Sequence, residues 1–120
     1  MAMITRESAH AFAQHWIESW NSHDLDKILS HYSDDFEMTT PFIVSIMNEP
    51  SGTLHGKDKV GAYWSNALKK FPELEFKLID VLYGVDSVTI YYHSILDKKA
   101  VEVFLIGADG KVIRSIAHYD

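Results

Sequence analysis

The chain has 120 residues, 47% of them hydrophobic, which reads as a single domain (residues 1–120) with enough apolar side chains to bury a proper core. Its 17 acidic and 11 basic residues leave a formal charge of −6. Basic residues cluster no further than the pairs Lys69-Lys70 and Lys98-Lys99, so neither nucleic acid nor an anionic membrane is expected as a partner. The chain has no cysteine, which excludes disulfides, thiolate metal sites and a thiol nucleophile.

The opening stretch MAMITRESAH lacks an apolar core of signal-peptide length. No apolar run approaches the roughly 18 residues of a membrane span. The expected setting is cytoplasmic.

The first element is a helix from about Arg6 to Trp20, capped by Thr5. Ala9, Phe12, Ala13, Trp16, Ile17 and Trp20 fall on one stripe of it. Asn21-Ser22-His23 breaks the pattern, and Asp24 can cap a second helix that buries Leu25, Ile28, Leu29 and Tyr32. After Ser33-Asp34-Asp35, Phe36, Met38 and Thr40 alternate with Glu37 and Thr39, a short strand ended by Pro41. Residues 42–55 hold an apolar group without a helical stripe, followed by Pro50-Ser51-Gly52. This segment reads as a small hairpin or as a flap over a pocket. A third helix runs from about Lys57 to Lys70, with Val60, Tyr63, Trp64, Ala67, Leu68 and Phe71 on one face, and Phe71-Pro72 stops it.

From Leu74 the period changes to two. Strands are expected over Glu75 to Tyr83, Ser87 to Leu96, Lys99 to Ile106 and Lys111 to Tyr119. Helices followed by a meander make an α+β domain, a curved antiparallel sheet wrapped around its helices.

The connection at Asp97-Lys98 sets the register of the central hairpin. A two-residue loop pairs Leu96 with Lys99 and sets His93 opposite Glu102 and Tyr91 opposite Phe104. A four-residue loop keeps those pairs, whereas an odd loop turns one strand over relative to the other. With an even loop, Thr89, Tyr91, His93, Ile95, Glu102, Phe104 and Ile106 share one face. The other carries Val88, Ile90, Tyr92, Val101, Val103 and Leu105. Both faces are apolar, so one covers the helices and the other is expected to pair with a second copy of the chain.

Glu102 is the residue hardest to explain as structure. A carboxylate between Val101 and Val103 must reach water or find a partner, because an unpaired buried charge is costly. His93 is the expected partner. The pair then either satisfies two buried groups or forms the polar floor of a ligand cavity. In the last strand Ser115, Ala117 and Tyr119 share a face opposite to His118. Small side chains there leave room beside Glu102 if they point inward, and His118 is the alternative site residue if they do not. Trp16, Trp20, Tyr32, Tyr63 and Trp64 form an aromatic set suited to an apolar, ring-containing ligand. Seven histidines are present, but His10 and His15 fall on different helical faces and HExxH is absent, so no metal is expected. Gly107-Ala108-Asp109-Gly110 is a turn, not a phosphate loop, and no serine sits in a GxSxG elbow.

The segments HDLDKILSHYSDDFEMTTP, LHGKDKVGAYW, LEFKLIDVLYGVDSVTI and VEVFLIGADGKVIRSIAHYD together resemble the nuclear transport factor 2-like superfamily, in its SnoaL-like and ketosteroid-isomerase-like branch. The resemblance covers Phe12 to Asp120. It implies a cone-shaped α+β barrel, a curved and mainly antiparallel sheet wrapped around three N-terminal helices. The pocket lies between the helices and the concave face, usually in a dimer. Ketosteroid isomerases carry a catalytic aspartate at the position of Thr40 and an oxyanion tyrosine at that of Trp16. Neither substitute can do the original task, so classical steroid isomerisation is not expected. Their second oxyanion-hole acid, kept protonated, corresponds to Glu102.

The resemblance also favours the even loop, turning Tyr91, His93, Ser115, Ala117 and Tyr119 inward. The expected catalytic set is therefore His93, Glu102, Tyr32 and Tyr119. The expected ligand-binding set is Trp16, Trp20, Phe36, Met38, Thr40, Tyr63, Trp64, Tyr91, Phe104, Ser115 and Ala117. No cofactor is implied. The expected function is binding of a small apolar or aromatic molecule, with proton-transfer chemistry of the isomerase, dehydratase or cyclase type. The alternative is a non-catalytic ligand-binding or dimerisation module.

Overall fold

The structure, a computed structural model, describes residues 3–120. Helix α1 (Arg6–Ser22) starts at a reciprocal cap in which Thr5 Oγ1 accepts from Ser8 N and Ser8 Oγ accepts from Thr5 N. It ends where His23 turns left-handed at φ 60°, two residues beyond the expected stop. Asp24 caps the five-residue α2 (Leu25–Leu29). Strand β1 (Tyr32–Thr39) follows, then α3 (Pro41–Met47), β2 (Thr53–His55) and α4 (Lys57–Lys70). The remaining strands are β3 (Lys77–Tyr83), β4 (Ser87–His93), β5 (Lys99–Ile106) and β6 (Val112–Tyr119).

The six strands form one sheet in the order β2-β1-β6-β5-β4-β3. Only β1 and β6 run parallel among its pairings. Helices α1 and α4 lie against the concave side and bury Ala9, Ala13, Trp16 and Trp20 from α1, and Val60, Tyr63 and Trp64 from α4. Gly61 lets α2 approach α4 closely, since a Cβ there would stand 3.3 Å from Leu29 Cδ1.

The helical stripes and the meander are found where the residue periodicities put them, and four expectations are corrected. Residues 42–55 form neither a plain hairpin nor a loose flap, because α3 is inserted between β1 and the edge strand β2. Thr40 does not belong to the strand. Its hydroxyl caps α3 by accepting from Phe42 N at 3.3 Å, and Pro41 takes the first helical position, where a missing N–H costs nothing. The described residues accordingly form four α-helices, not three. Tyr32 opens β1 and is not part of the second helix.

The fourth correction is the register of the β4–β5 hairpin. Strand β4 stops at His93, which pairs with Lys99, so the connection is Ser94 to Lys98, an odd count. Glu102 therefore pairs with Ile90, and Tyr91 with Val101. The reason lies in β4, where Val88, Ile90 and Tyr92 are buried while Thr89, Tyr91 and His93 are only partly covered. Seating the more apolar set in the core requires an odd turn, and the turn is closed by Leu96 and Asp97, both at φ 57°.

Candidate functional site

Strand β5 points Ala100, Glu102 and Phe104 into the concave face, between Val88, Ile90 and Tyr92 on one side and Ser115 and Ala117 on the other. Trp16, on the buried stripe of α1, reaches over this floor. Its ring stacks on Phe76 at 5.6 Å and meets Tyr92 and Phe104 edge-on at 5.1 and 5.2 Å. Its Nε1 donates to Tyr32 Oη at 2.9 Å, both side chains being buried. Trp20 meets Trp64 edge-on at 5.2 Å. Asn21, one residue further along α1, brackets the backbone of Phe76 with two hydrogen bonds and so ties the helix end to the segment entering β3.

Between these elements lies a chamber of about 50 Å³, lined among others by Trp16, Trp20, Met38, Phe42, Tyr63, Trp64, Tyr92, Glu102 and Tyr119. Glu102 is 3% exposed, and its Oε1 accepts from the Tyr92 hydroxyl at 3.2 Å. Burial pushes its carboxyl up to about 8, against the smaller opposing pull of the Tyr92 hydrogen bond. The neutral acid is therefore the favoured form at pH 7. Burial likewise raises Tyr32, Tyr63, Tyr92 and Tyr119, with Glu102 adding to the shift at each. The phenols stay protonated: Tyr92 gives its proton to Glu102, and Tyr63 and Tyr119 are the further phenols on the chamber lining. Trp20 Nε1 is buried and has no hydrogen-bond partner among the described residues. The chamber thus offers several donors and a single carboxyl, a combination that fits an oxygen atom of an otherwise apolar guest.

The expected site residues divide into three groups. Trp16, Trp20, Met38, Tyr63, Trp64, Glu102 and Tyr119 line the chamber. Tyr32, Phe36, Thr40, Phe104, Ser115 and Ala117 are buried behind its walls, with Ser115 Oγ donating to Met38 Sδ. Tyr91 and His93 lie on the opposite, outer face, as does the exposed His118. The anticipated His93–Glu102 contact is therefore not made. His93 Nε2 instead meets Asp97 Oδ1 at 2.9 Å within the turn, and the partner of Glu102 is Tyr92.

Tyr92 is the residue sequence reasoning missed, and the signal for it was present. Val88, Ile90 and Tyr92 are the more apolar half of β4, and the resemblance already placed Glu102 inside. Both hold together only with an odd turn. Among the described residues no group of three or more His, Asp or Glu side chains is placed to hold a metal ion, and no helix is long and apolar enough to cross a membrane.

Comparison with known proteins follows the fold closely. The profile of the SnoaL-like domain matches residues 13–119. A SnoaL-like protein of unknown function from Burkholderia thailandensis is 51% identical, with 99% of each chain covered and a TM-score of 0.97. A candidate isomerase of the SnoaL-like family from Agrobacterium tumefaciens is 15% identical, covering 93% of this chain and 97% of its own at a TM-score of 0.75. A candidate polyketide cyclase from Streptomyces antibioticus is also 15% identical, covering 93% and 91% at 0.77. At that identity the last two establish the shared fold alone. No curated protein matches.

Proposed function

This chain belongs to the SnoaL-like domain family, and on that premise we propose that its chamber binds a small apolar compound bearing a carbonyl or hydroxyl group and that Glu102 moves a proton on it. The observation that carries this reading is a buried carboxyl held near neutrality, among phenols, in a chamber with no other acid among the described residues. A base with a pKa of about 8 is stronger than an ordinary carboxylate and still populated at physiological pH.

With Glu102 ionised, it takes the proton from the carbon next to a carbonyl. The C–H electron pair moves onto the carbonyl oxygen as an enolate, which Tyr119 Oη–H and the unpartnered Trp20 Nε1–H are available to hold. The protonated Glu102 then returns its proton. Delivered to the γ-carbon of a dienolate, formed from a β,γ-unsaturated ketone, it moves the double bond and completes an isomerisation. Delivered to a β-hydroxyl, it releases water as the enolate pair forms the α,β double bond. A cyclisation starts from the same enolate. His93, on the other face, takes no part in this scheme, and neither Thr40 nor Trp16 is a base.

The test is uptake of solvent deuterium by β-tetralone, followed by NMR in heavy water. Glu102→Gln should slow the exchange on the order of 100-fold or more, and the wild-type rate should rise with pH to a plateau above about 8. Tetralone that quenches the tryptophans without exchanging faster in wild type than in Glu102→Gln would establish the non-catalytic binding module instead.

We further propose that two copies pair through the outer sheet face. Val101, Val103, Leu105 and Ile116 form a contiguous, partly exposed apolar patch there, of the kind that marks an association surface.

A further inference from the structure

The chamber is too small for the guest it is shaped to receive. About 50 Å³ holds a water or two, whereas a cavity that takes a benzene ring is on the order of 150 Å³. Next to it lies an open cleft of about 530 Å³ between the end of α4 and the β4–β5 turn, within the size range of small-molecule sites. Three residues line both spaces and so form the partition: Leu74, Ser94 and Ile95.

The partition is held unevenly. The Leu74 carbonyl accepts from His23 Nε2 at 2.7 Å, its N–H donates to Phe71 O, and the Phe76 backbone beyond it is bracketed by Asn21. That half is fastened to α1. Ile95 rides on the Ser94 to Lys98 turn, whose backbone hydrogen bonds close on the turn itself, from Ser94 N to Lys98 O and from Lys98 N to Ile95 O. Its side-chain ties are both at the surface: the His93–Asp97 pair, and Lys98 Nζ donating to the Asp120 carbonyl at 3.2 Å. Leu96 and Asp97 are both left-handed, which is unfavourable for residues with a Cβ, and Leu96 stands 63% exposed. The backbone bonds of the turn would survive an outward swing, and the ties to be broken are the two at the surface.

We propose that Ile95 is the movable wall of the ligand site, and that the working site is chamber and cleft joined by its displacement. One ring-bearing end of the ligand passes Ile95 to reach Glu102, and the rest stays in the cleft. The cleft is lined by charges of both signs, Lys70 and Lys77 against Glu73, Glu75 and Asp97, with Lys77 lying near Glu75, so a polar, uncharged remainder fits best. Ile95 then sets which ligands enter. This rests on the reading of the Glu102 chamber as a ligand site, and the test separates the two.

All three tryptophans of the chain line the chamber, so quenching of their emission by acrylamide measures entry without any ligand. Ile95→Ala should raise the quenching constant several-fold, and His93→Ala, which unties the turn from outside, should raise it to a smaller degree. Thermal unfolding of each variant confirms that it is folded, and His93→Ala decides the matter if Ile95→Ala is not. Naphthol binding, read by the same emission, should tighten by about tenfold in Ile95→Ala as the entry-competent fraction grows. Acrylamide quenching unchanged in both variants overturns the movable wall, even if naphthol binds. Quenching that depends on Ile95 while naphthol binds to none of the proteins keeps the wall and overturns the ligand site.

Discussion

The two faces of the sheet look alike in sequence and differ in what they do with polar groups. On the inner face Glu102, Tyr92 and Tyr119 meet a chamber in which water is scarce, and burial has shifted all three toward their neutral forms. On the outer face Val101, Val103, Leu105 and Ile116 are partly exposed, and the polar residues among them, such as His93 and Lys99, reach solvent. Apolar content therefore does not tell a site from an association surface. The distinguishing feature is a polar side chain that has been forced to give up its charge.

The largest effect expected from this contrast is a pH dependence confined to the inner face. The carboxyl of Glu102 is raised from 4.5 to about 8, so the unfolded chain releases this proton first. The stability associated with the neutral acid is fully present below pH 4.5 and is lost as the pH rises to about 8. Unfolding free energy should fall in that window by up to about 1.4 kcal/mol per pH unit. Denaturant titrations of Glu102→Gln should lack this slope, and a slope of equal size in both proteins would assign it elsewhere.

Next in size is Trp16→Ala. This side chain is 1% exposed and touches Phe76, Tyr92 and Phe104 as well as Tyr32, so urea unfolding should show a loss of about 3–5 kcal/mol. A smallest effect on folding is expected outside: Val103→Asp should cost the protomer about 1 kcal/mol or less, while sedimentation shows a dimer in wild type and a monomer in the variant. A wild-type protein that sediments as a monomer at micromolar concentration would remove the outer face as an interface.

How much of this was legible in the sequence depended on the element. The stripes of α1 and α4 were readable because a helical period repeats over several turns, and one misplaced residue does not change the face. Glu102 was readable because a lone carboxylate among valines conflicts with its surroundings. The chemistry around it was not, because a strand of period two reverses with a single residue. Two left-handed residues without glycine, Leu96 and Asp97, closed a five-residue turn that nothing in the local composition announced. That one residue exchanged His93 for Tyr92 as the partner of the acid. The inserted α3 was missed for a related reason. Its seven residues are too few to display a stripe, and the capping role of Thr40 shows only once Pro41 is seen to begin a helix instead of ending a strand.

The inner face stands or falls with the protonation of one side chain. Titrating the Glu102 carboxyl by carbon-detected NMR, with glutamate labelled at the side-chain carbon and the signal assigned through Glu102→Gln, reads it directly. The account predicts a midpoint near 8, with the group still neutral in most molecules at pH 7. A midpoint in the ordinary carboxylate range, near 4.5, would mean that water reaches position 102 freely and that the chamber holds no tuned acid.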